Sequence, residues 1–137
     1  MLEPLTVGTR KCFHCLVTKD LTCFSFEKKR GYHPWCKECK YTYDSKRILA
    51  HRLKVIELYG GKCECCGETR YQFLCIDHQD GSTQFTRRAV SGGHLYAELA
   101  KDTERRKGIV LSCHNCNMAR AFYGICPHDF ERQNGQS

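Results

Sequence analysis

Four C-x-x-C pairs constrain the fold of this 137-residue chain more than any other feature of its sequence. Two such pairs, each on a tight turn, can supply the four thiolates of a tetrahedral zinc site. Disulfides or plain buried cysteines are the alternatives, but disulfides form in oxidising compartments. The spacing therefore predicts two structural zinc ions, one bound by Cys12, Cys15, Cys36 and Cys39, and one bound by Cys63, Cys66, Cys113 and Cys116.

The composition agrees with a chain that needs metal to support its core. Hydrophobic residues make up 41%, and that share includes all twelve cysteines, so the apolar core is thin for this length. Residues 1–11 lack the apolar core of a signal peptide, and no run of roughly 18 apolar residues could cross a membrane. The formal net charge is +7, which thiolate ligands reduce. We therefore expect a cytoplasmic protein without a membrane partner.

Combining the pairs in sequence order divides the chain into two modules, although interleaved pairing stays open. The first module is an N-terminal four-cysteine zinc module over residues 1–41, and a connecting helix over 42–60 follows it. The second module covers residues 61–128 and precedes a tail over 129–137. The fold class is a small α+β protein stabilised by zinc.

Secondary structure is predicted from periodicity and from turn residues. Residues 42–59 contain no Gly or Pro and carry apolar residues at helical spacing, among them Ile48, Leu49 and Leu53, and Gly60-Gly61 follows, so a helix is predicted there. The other predicted elements are strands over 22–26, 72–78 and 109–111, a turn over 28–31, and helices over 94–106 and 118–122.

Polar residues of the second module lie at the ends of these elements. Asp77 and His78 end one strand, and Asn115 and Asn117 lie at the last cysteine pair. Zinc bound by the two cysteine pairs would bring the strands and the last helix together. Taken alone, Asp77-His78 is equally a turn after a strand, and Asn117 is equally a helix cap.

Three motifs of the second module match one known family. They are C-x-x-C-G at 63–67, I-D-H-x-D-G at 76–81 and L-x-C-x-x-C-N-x-A at 111–119. Over residues 61–128 the chain thereby resembles the HNH nucleases of the ββα-metal (His-Me finger) superfamily, and most of all the zinc-containing phage recombination endonuclease VII type. C-P-H at 126–128 is similar to the ending of small phage HNH proteins, and the two four-cysteine sites are similar to those of short two-zinc HNH enzymes. The resemblance implies a ββα-metal HNH core behind the N-terminal zinc module.

The resemblance further implies a metal-dependent DNA endonuclease that hydrolyses phosphodiester bonds in a bacterial or phage-infected host cell. His78 would be the general base that activates water, and Asp77 and Asn117 would hold one catalytic Mg²⁺ or Mn²⁺. Many HNH enzymes have a histidine where Asn117 stands, and an amide oxygen favours Mg²⁺ or Mn²⁺ over a softer metal. Asn115 has no assigned role. The expected partner is duplex or branched DNA, and a homodimer is expected because cutting both strands needs two active sites.

Basic residues near the site are candidates for DNA contact. Arg87 and Arg88 lie in the loop that follows His78, and Arg120 lies about one turn after Asn117. A solvated surface is the simpler interpretation of such charges, so DNA contact is a prediction that needs the structure around each residue.

Two other functions stay open. A non-catalytic zinc protein that binds nucleic acid agrees with the basic charge, and a zinc-held protein–protein adaptor agrees with the two modules. Cys23 and Cys75 are predicted to be small buried residues. Cys126 with His128 suggests a further metal site, which is the less favoured interpretation of those two residues.

Overall fold

The computed structural model of this protein describes residues 2–4, 7–79 and 92–135. The chain forms two compact units, Met1–Arg47 and Ile48–Ser137, and the boundary between them falls within one long helix. Each sheet is a two-stranded antiparallel pair. The result is a small mixed α/β architecture with cysteine clusters that could bind zinc, which agrees with the coarse fold class predicted from the sequence.

Two strand pairs form the first unit and present its cysteines. The turn between β1 and β2 carries Cys12 and Cys15, and β4 ends on Cys36. Cys12, Phe24 and Cys36 are buried together, so cysteines of the first predicted metal site make up most of this small core. The strands are β1 (Thr9–Lys11), β2 (Thr18–Asp20), β3 (Phe24–Glu27) and β4 (Gly31–Cys36), and β1 pairs with β2 and β3 with β4.

A short 3₁₀ turn, Leu21–Cys23, delays the strand that was predicted from residue 22. The Asp20 carboxylate accepts a hydrogen bond from the backbone N–H of Thr22 at 2.8 Å and thereby caps this turn. Leu21 takes the buried position of the turn and Cys23 is exposed, so the prediction that Cys23 is buried is wrong. The predicted turn before Gly31 is confirmed, and the φ of 78° at this residue suits glycine.

One helix, α1 (Lys37–Leu58), follows β4 directly. It begins five residues earlier than predicted because its first turn carries Cys39 of the first cysteine cluster. It ends where predicted, since Gly60 and Gly61 both have positive φ. Within the second unit, Val55 and Ile56 are its buried residues, whereas the apolar side chains at 48, 49 and 53 are exposed.

The second unit places an antiparallel strand pair beneath a helix. Leu74 lies opposite Cys113, and Asp77 lies opposite Val110. The helix that begins at His114 contacts both strands. The elements are a 3₁₀ turn (Tyr71–Phe73), β5 (Leu74–His78), α2 (Gly92–Leu99), β6 (Ile109–Cys113), α3 (His114–Tyr123) and α4 (Pro127–Asn134).

The other helices also differ from the sequence prediction, and α3 begins four residues before the predicted start at 118. α2 ends at Leu99 rather than at 106, and after it the backbone N–H of Arg106 donates to the Tyr59 hydroxyl at 3.0 Å. α4 lies mostly in the segment that was predicted as a tail, and Pro127 in its first turn suits a helix start.

Cysteines make up much of the core of the second unit. Its buried cluster contains twelve residues, and five of them are cysteines. The aliphatic and aromatic part includes Tyr59, Leu74, Leu99 and Leu111, all of them at most 1% exposed. Because cysteines fill so much of this small core, we expect metal bound to them to contribute to its stability.

Candidate metal centres and the strand–helix face

The four cysteines predicted for the first zinc site lie together in the first unit. The sulfurs of Cys12, Cys15, Cys36 and Cys39 are all within 4.8 Å of one another. Local structure brings them there, because Cys12 and Cys15 share one tight turn and the other two span the junction of β4 and α1. The predicted pairing in sequence order is therefore what the structure shows.

Backbone N–H groups favour the thiolate form of Cys12. Its burial would raise its pKa, but backbone N–H groups of Cys15, Cys36 and His14 donate to its sulfur and lower its pKa to about 6. The Cys36 N–H lies 3.2 Å from that sulfur. Amides that point at a sulfur stabilise the thiolate, which is the form that binds metal.

The second predicted group also comes together, in the second unit. The sulfurs of Cys63, Cys66, Cys113 and Cys116 lie within 4.8 Å of one another, and those of Cys66 and Cys113 are 3.7 Å apart. Sulfurs at two corners of a tetrahedron with Zn–S bonds of about 2.3 Å are roughly 3.8 Å apart. A disulfide would need about 2.05 Å, and all twelve cysteines of the chain are free.

All four thiols of this second group can be ionised together only when a cation is bound among them. Burial would raise the pKa of Cys63, but backbone N–H groups of Cys66, Cys113 and Cys65 lower it to about 7. Burial, together with neighbouring sulfurs, raises the pKa of Cys116. A bound divalent cation removes this conflict because it deprotonates its thiol ligands. Both groups are thus positioned to hold metal ions, and an all-sulfur donor set suits zinc.

A third group contains Cys126 and His128, for which a metal site was the less favoured interpretation of the sequence, together with two cysteines that were not expected there. Cys65, Cys116, Cys126 and His128 place one sulfur or ring nitrogen each within 4.8 Å of the others. Cys116 therefore belongs to two groups at once. The signal in the sequence was the Cys126-Pro127-His128 ending together with the extra cysteine between Cys63 and Cys66, but these segments are 60 residues apart.

Asp77 and Asn117, the predicted ligands of the catalytic metal, lie where α3 crosses β5. Cys75 and Asp77 are two residues apart and share one face of the strand. The Asn117 amide donates from Nδ2 to the Cys75 sulfur at 3.4 Å, and Arg120 donates from Nη1 to Asp77 Oδ2 at 3.2 Å. Since Asn117 and Arg120 are one turn apart on α3, this helix face lies over the strand face that carries Asp77.

Arg120, predicted as a DNA contact, is held by several groups within the second unit. Its guanidinium pairs with Asp129 on α4 at 3.1 Å and with Asp77 on β5, and it donates to the Ser112 hydroxyl at 3.0 Å. Ser112 is fully buried and in turn donates to Asp77 Oδ2 at 3.4 Å. Arg120 therefore ties α4 to the strand pair.

His78 is the last residue of β5 and lies opposite Ile109 on β6. Its ring is half-buried, and in the part of the chain that the structure describes no side chain or backbone group hydrogen-bonds to it. Asn115 is exposed on α3. The predicted DNA contacts Arg87 and Arg88 lie outside the described residues.

The donors at Asp77 and Asn117 suit a hard cation. A carboxylate and an amide oxygen are ligands that Mg²⁺ accepts, with water and phosphate filling its other positions. Within residues 2–4, 7–79 and 92–135, neither Asp77 nor His78 belongs to a group of three or more His, Cys, Asp and Glu ligands. A cation here would thus depend on few protein ligands.

No helix among the described residues is long and apolar enough to span a membrane. Comparisons with models of known protein families, with curated proteins and with solved structures find no match for this chain. What the protein does is therefore inferred from its own residues and their geometry.

Proposed function

We propose that this protein is a metal-dependent DNA endonuclease of the HNH type, which hydrolyses phosphodiester bonds at a site built on β5, β6 and α3. One observation carries the proposal: the α3 face with Asn117 and Arg120 lies over the β5 face with Asp77. A strand pair crossed by a helix, with a cysteine group at their junction, is the arrangement that the three sequence motifs imply.

Each residue has a chemical role in this proposal. His78 accepts a proton from the attacking water, a role for which imidazole is the usual side chain near neutral pH. Asp77 and Asn117 hold Mg²⁺ through oxygen atoms, and the bound ion supplies positive charge to the phosphate and to the departing oxygen. The two four-cysteine groups hold zinc ions with closed ligand shells, so these ions are structural.

Arg120 connects the resting site to its substrate in this proposal. In the structure it neutralises Asp77, because its Nη1 lies 3.2 Å from Oδ2 of that carboxylate. A cation at Asp77 makes this neutralisation unnecessary, and the guanidinium then has donors free for a phosphate oxygen. Its second carboxylate partner, Asp129, keeps it close to the site meanwhile.

Plasmid nicking tests the proposal. Supercoiled DNA is incubated with the purified chain in Mg²⁺, in Mn²⁺ or in EDTA, and a four-way junction is the second substrate. We expect metal-dependent cleavage that falls by about 10²- to 10⁴-fold in His78→Ala, the range for loss of a general base. His51→Ala, which removes a histidine from α1, is the matched control and keeps full activity.

Zinc content separates a lost catalytic group from a lost fold. His78→Ala retains as much zinc per chain as the wild type if its defect is catalytic. Full cleavage by this variant would contradict the role of His78. If the wild type cleaves neither substrate and instead binds DNA in a strongly salt-dependent manner, the non-catalytic nucleic-acid-binding alternative replaces the proposal.

A further inference from the structure

We propose that Cys65, Cys116, Cys126 and His128 bind a second zinc ion in the second unit, and that the Cys116 thiolate bridges the two zinc ions of that unit. The chain would then hold three zinc ions rather than two. The additional site is independent of the proposed endonuclease activity, because none of its four ligands has a role in that chemistry.

The distances among these donors match the edges of a zinc tetrahedron. The sulfurs of Cys65 and Cys126 are 3.6 Å apart. His128 Nδ1 lies 3.3 Å from the Cys126 sulfur and 3.4 Å from the Cys116 sulfur. With Zn–S bonds of about 2.3 Å and Zn–N bonds of about 2.0 Å, a tetrahedron has edges of roughly 3.8 and 3.5 Å. These separations are also far too long for a disulfide.

The number of donors explains why Cys116 is shared. The two overlapping groups contain seven donors in all, six sulfurs and one ring nitrogen. Two tetrahedral zinc ions have eight ligand positions, and seven donors fill them when one thiolate serves both ions. Cys116 is the thiolate that can serve both ions, because it belongs to both groups. It is fully buried, and its sulfur has as neighbours the sulfurs of Cys113, Cys66, Cys65 and Cys126.

The position of α4 gives the second ion a structural role. Cys126 immediately precedes this helix and His128 lies in its first turn, yet α4 has no buried residue and its Phe130 is 57% exposed. Apolar packing therefore contributes little to holding α4. A zinc ion would supply that attachment. It would be bound by Cys126 and His128 at the start of α4 and by Cys65, which lies on the turn between Cys63 and Cys66.

One arginine, Arg132, offsets part of the charge of such a cluster. Six thiolates and two Zn²⁺ ions carry a net charge of −2. Arg132 donates from Nη2 to the Cys65 sulfur at 3.3 Å and from Nη1 to the Cys65 carbonyl at 2.7 Å. The Asp129 carboxylate lies 3.5 Å from the same sulfur, but it is paired with Arg120 and Arg132 and so carries little uncompensated charge.

Metal content is the first test. The full chain is purified under reducing conditions, exposed to zinc, desalted and measured by mass spectrometry of the metal. We expect three zinc ions per chain in the wild type and two in Cys126→Ser. Cys23→Ser, which alters an exposed cysteine outside every group, is the matched control and retains three. Two ions in the wild type, or three in a folded Cys126→Ser, would overturn the proposal.

Cadmium substitution tests the shared ligand. In ¹¹³Cd-loaded protein we expect three resonances, two of which split each other through the Cys116 sulfur. His128→Ala should shift one of those two resonances and leave the third, from the first unit, unchanged. Three uncoupled resonances would exclude the bridge, and only two resonances in the wild type would exclude the additional site. These readings need only the wild type and His128→Ala, so they decide the matter even if Cys126→Ser does not fold.

Discussion

Arg120 on α3 donates from Nη1 to Oδ2 of Asp77 on β5 at 3.2 Å, so the carboxylate proposed to hold the catalytic cation already has a positive partner. Arginine and a divalent cation compete for the same oxygen in this arrangement. Because of that competition, a substitution of Arg120 should affect cation binding and DNA binding in opposite directions.

Replacing Arg120 by glutamine should tighten the binding of Mn²⁺ at Asp77 by about fivefold, since a competing ion pair of ordinary strength is removed. The same variant should bind DNA more weakly, because a guanidinium that could contact phosphate is lost. Mn²⁺ affinity is measured by the spin-resonance signal of the free ion. Arg106→Gln, which breaks an ion pair with Asp102 elsewhere in the unit, serves as the control. Unchanged Mn²⁺ affinity in Arg120→Gln would place the cation elsewhere.

Changing Asn117 to histidine should alter which metal supports cleavage. An amide oxygen is a hard ligand and suits Mg²⁺ and Mn²⁺, whereas imidazole binds Co²⁺ and Ni²⁺ more readily. Cleavage by Asn117→His should therefore fall in Mg²⁺ by about tenfold or more, comparable to the loss when a metal site is disturbed, and fall less in Co²⁺ or Ni²⁺. Asn115→His, on the exposed side of the same helix, should leave the metal preference unchanged. The same Mg²⁺-to-Co²⁺ ratio in wild type and Asn117→His would argue against Asn117 as a ligand.

The two four-cysteine groups were the most predictable part of the structure, because local backbone structure alone brings the two cysteines of a C-x-x-C pair close together. In each group one pair lies on a tight turn and the other at a junction of strand and helix, and the two pairs are found together in the structure. The stop of α1 at Gly60 was equally predictable, since glycine at positive φ ends a helix by local geometry.

Long-range contacts account for what the sequence did not reveal. Cys65 and Cys126 are 61 residues apart, and nothing in the local pattern of either indicates the other. After the early end of α2, the backbone N–H of Arg106 donates to the hydroxyl of Tyr59, 47 residues away in sequence, and helical periodicity cannot indicate such a contact. The role of Arg120 in binding both Asp77 and Asp129 likewise depends on how α4 packs.

Removing the zinc ions should unfold the second unit. Five of the twelve buried residues of its core are cysteines, and structural zinc contributes about 10–16 kcal/mol of apparent binding free energy, against a total domain stability of roughly 5–15 kcal/mol. A strong chelator with a reductant should therefore abolish the cooperative thermal transition seen by circular dichroism. Restoring zinc should restore the transition, whereas Mg²⁺ should not. A metal-free chain that melts at the same temperature as the metal-loaded chain would contradict a structural role for the ions.

Arg52 provides a test of stability that does not depend on the proposed catalytic cation or on DNA. Its Nη2 donates to the carbonyls of Leu74 at 2.8 Å and Tyr71 at 3.1 Å, so it fixes the backbone where β5, the strand of Asp77, begins. Its Nε is buried without a partner among the described residues, which adds to the cost of placing the side chain there.

Arg52→Met should lower the free energy of unfolding by about 1–3 kcal/mol, because two partly buried carbonyls each lose a charged donor while the aliphatic stem is largely kept. Urea denaturation of the zinc-loaded chain measures this change. Lys54→Met, at an exposed position of the same helix, removes a charge of the same sign and should change stability by less than about 0.5 kcal/mol. If the two variants lose the same stability, the Arg52 hydrogen bonds contribute nothing beyond the general effect of removing a positive charge from α1.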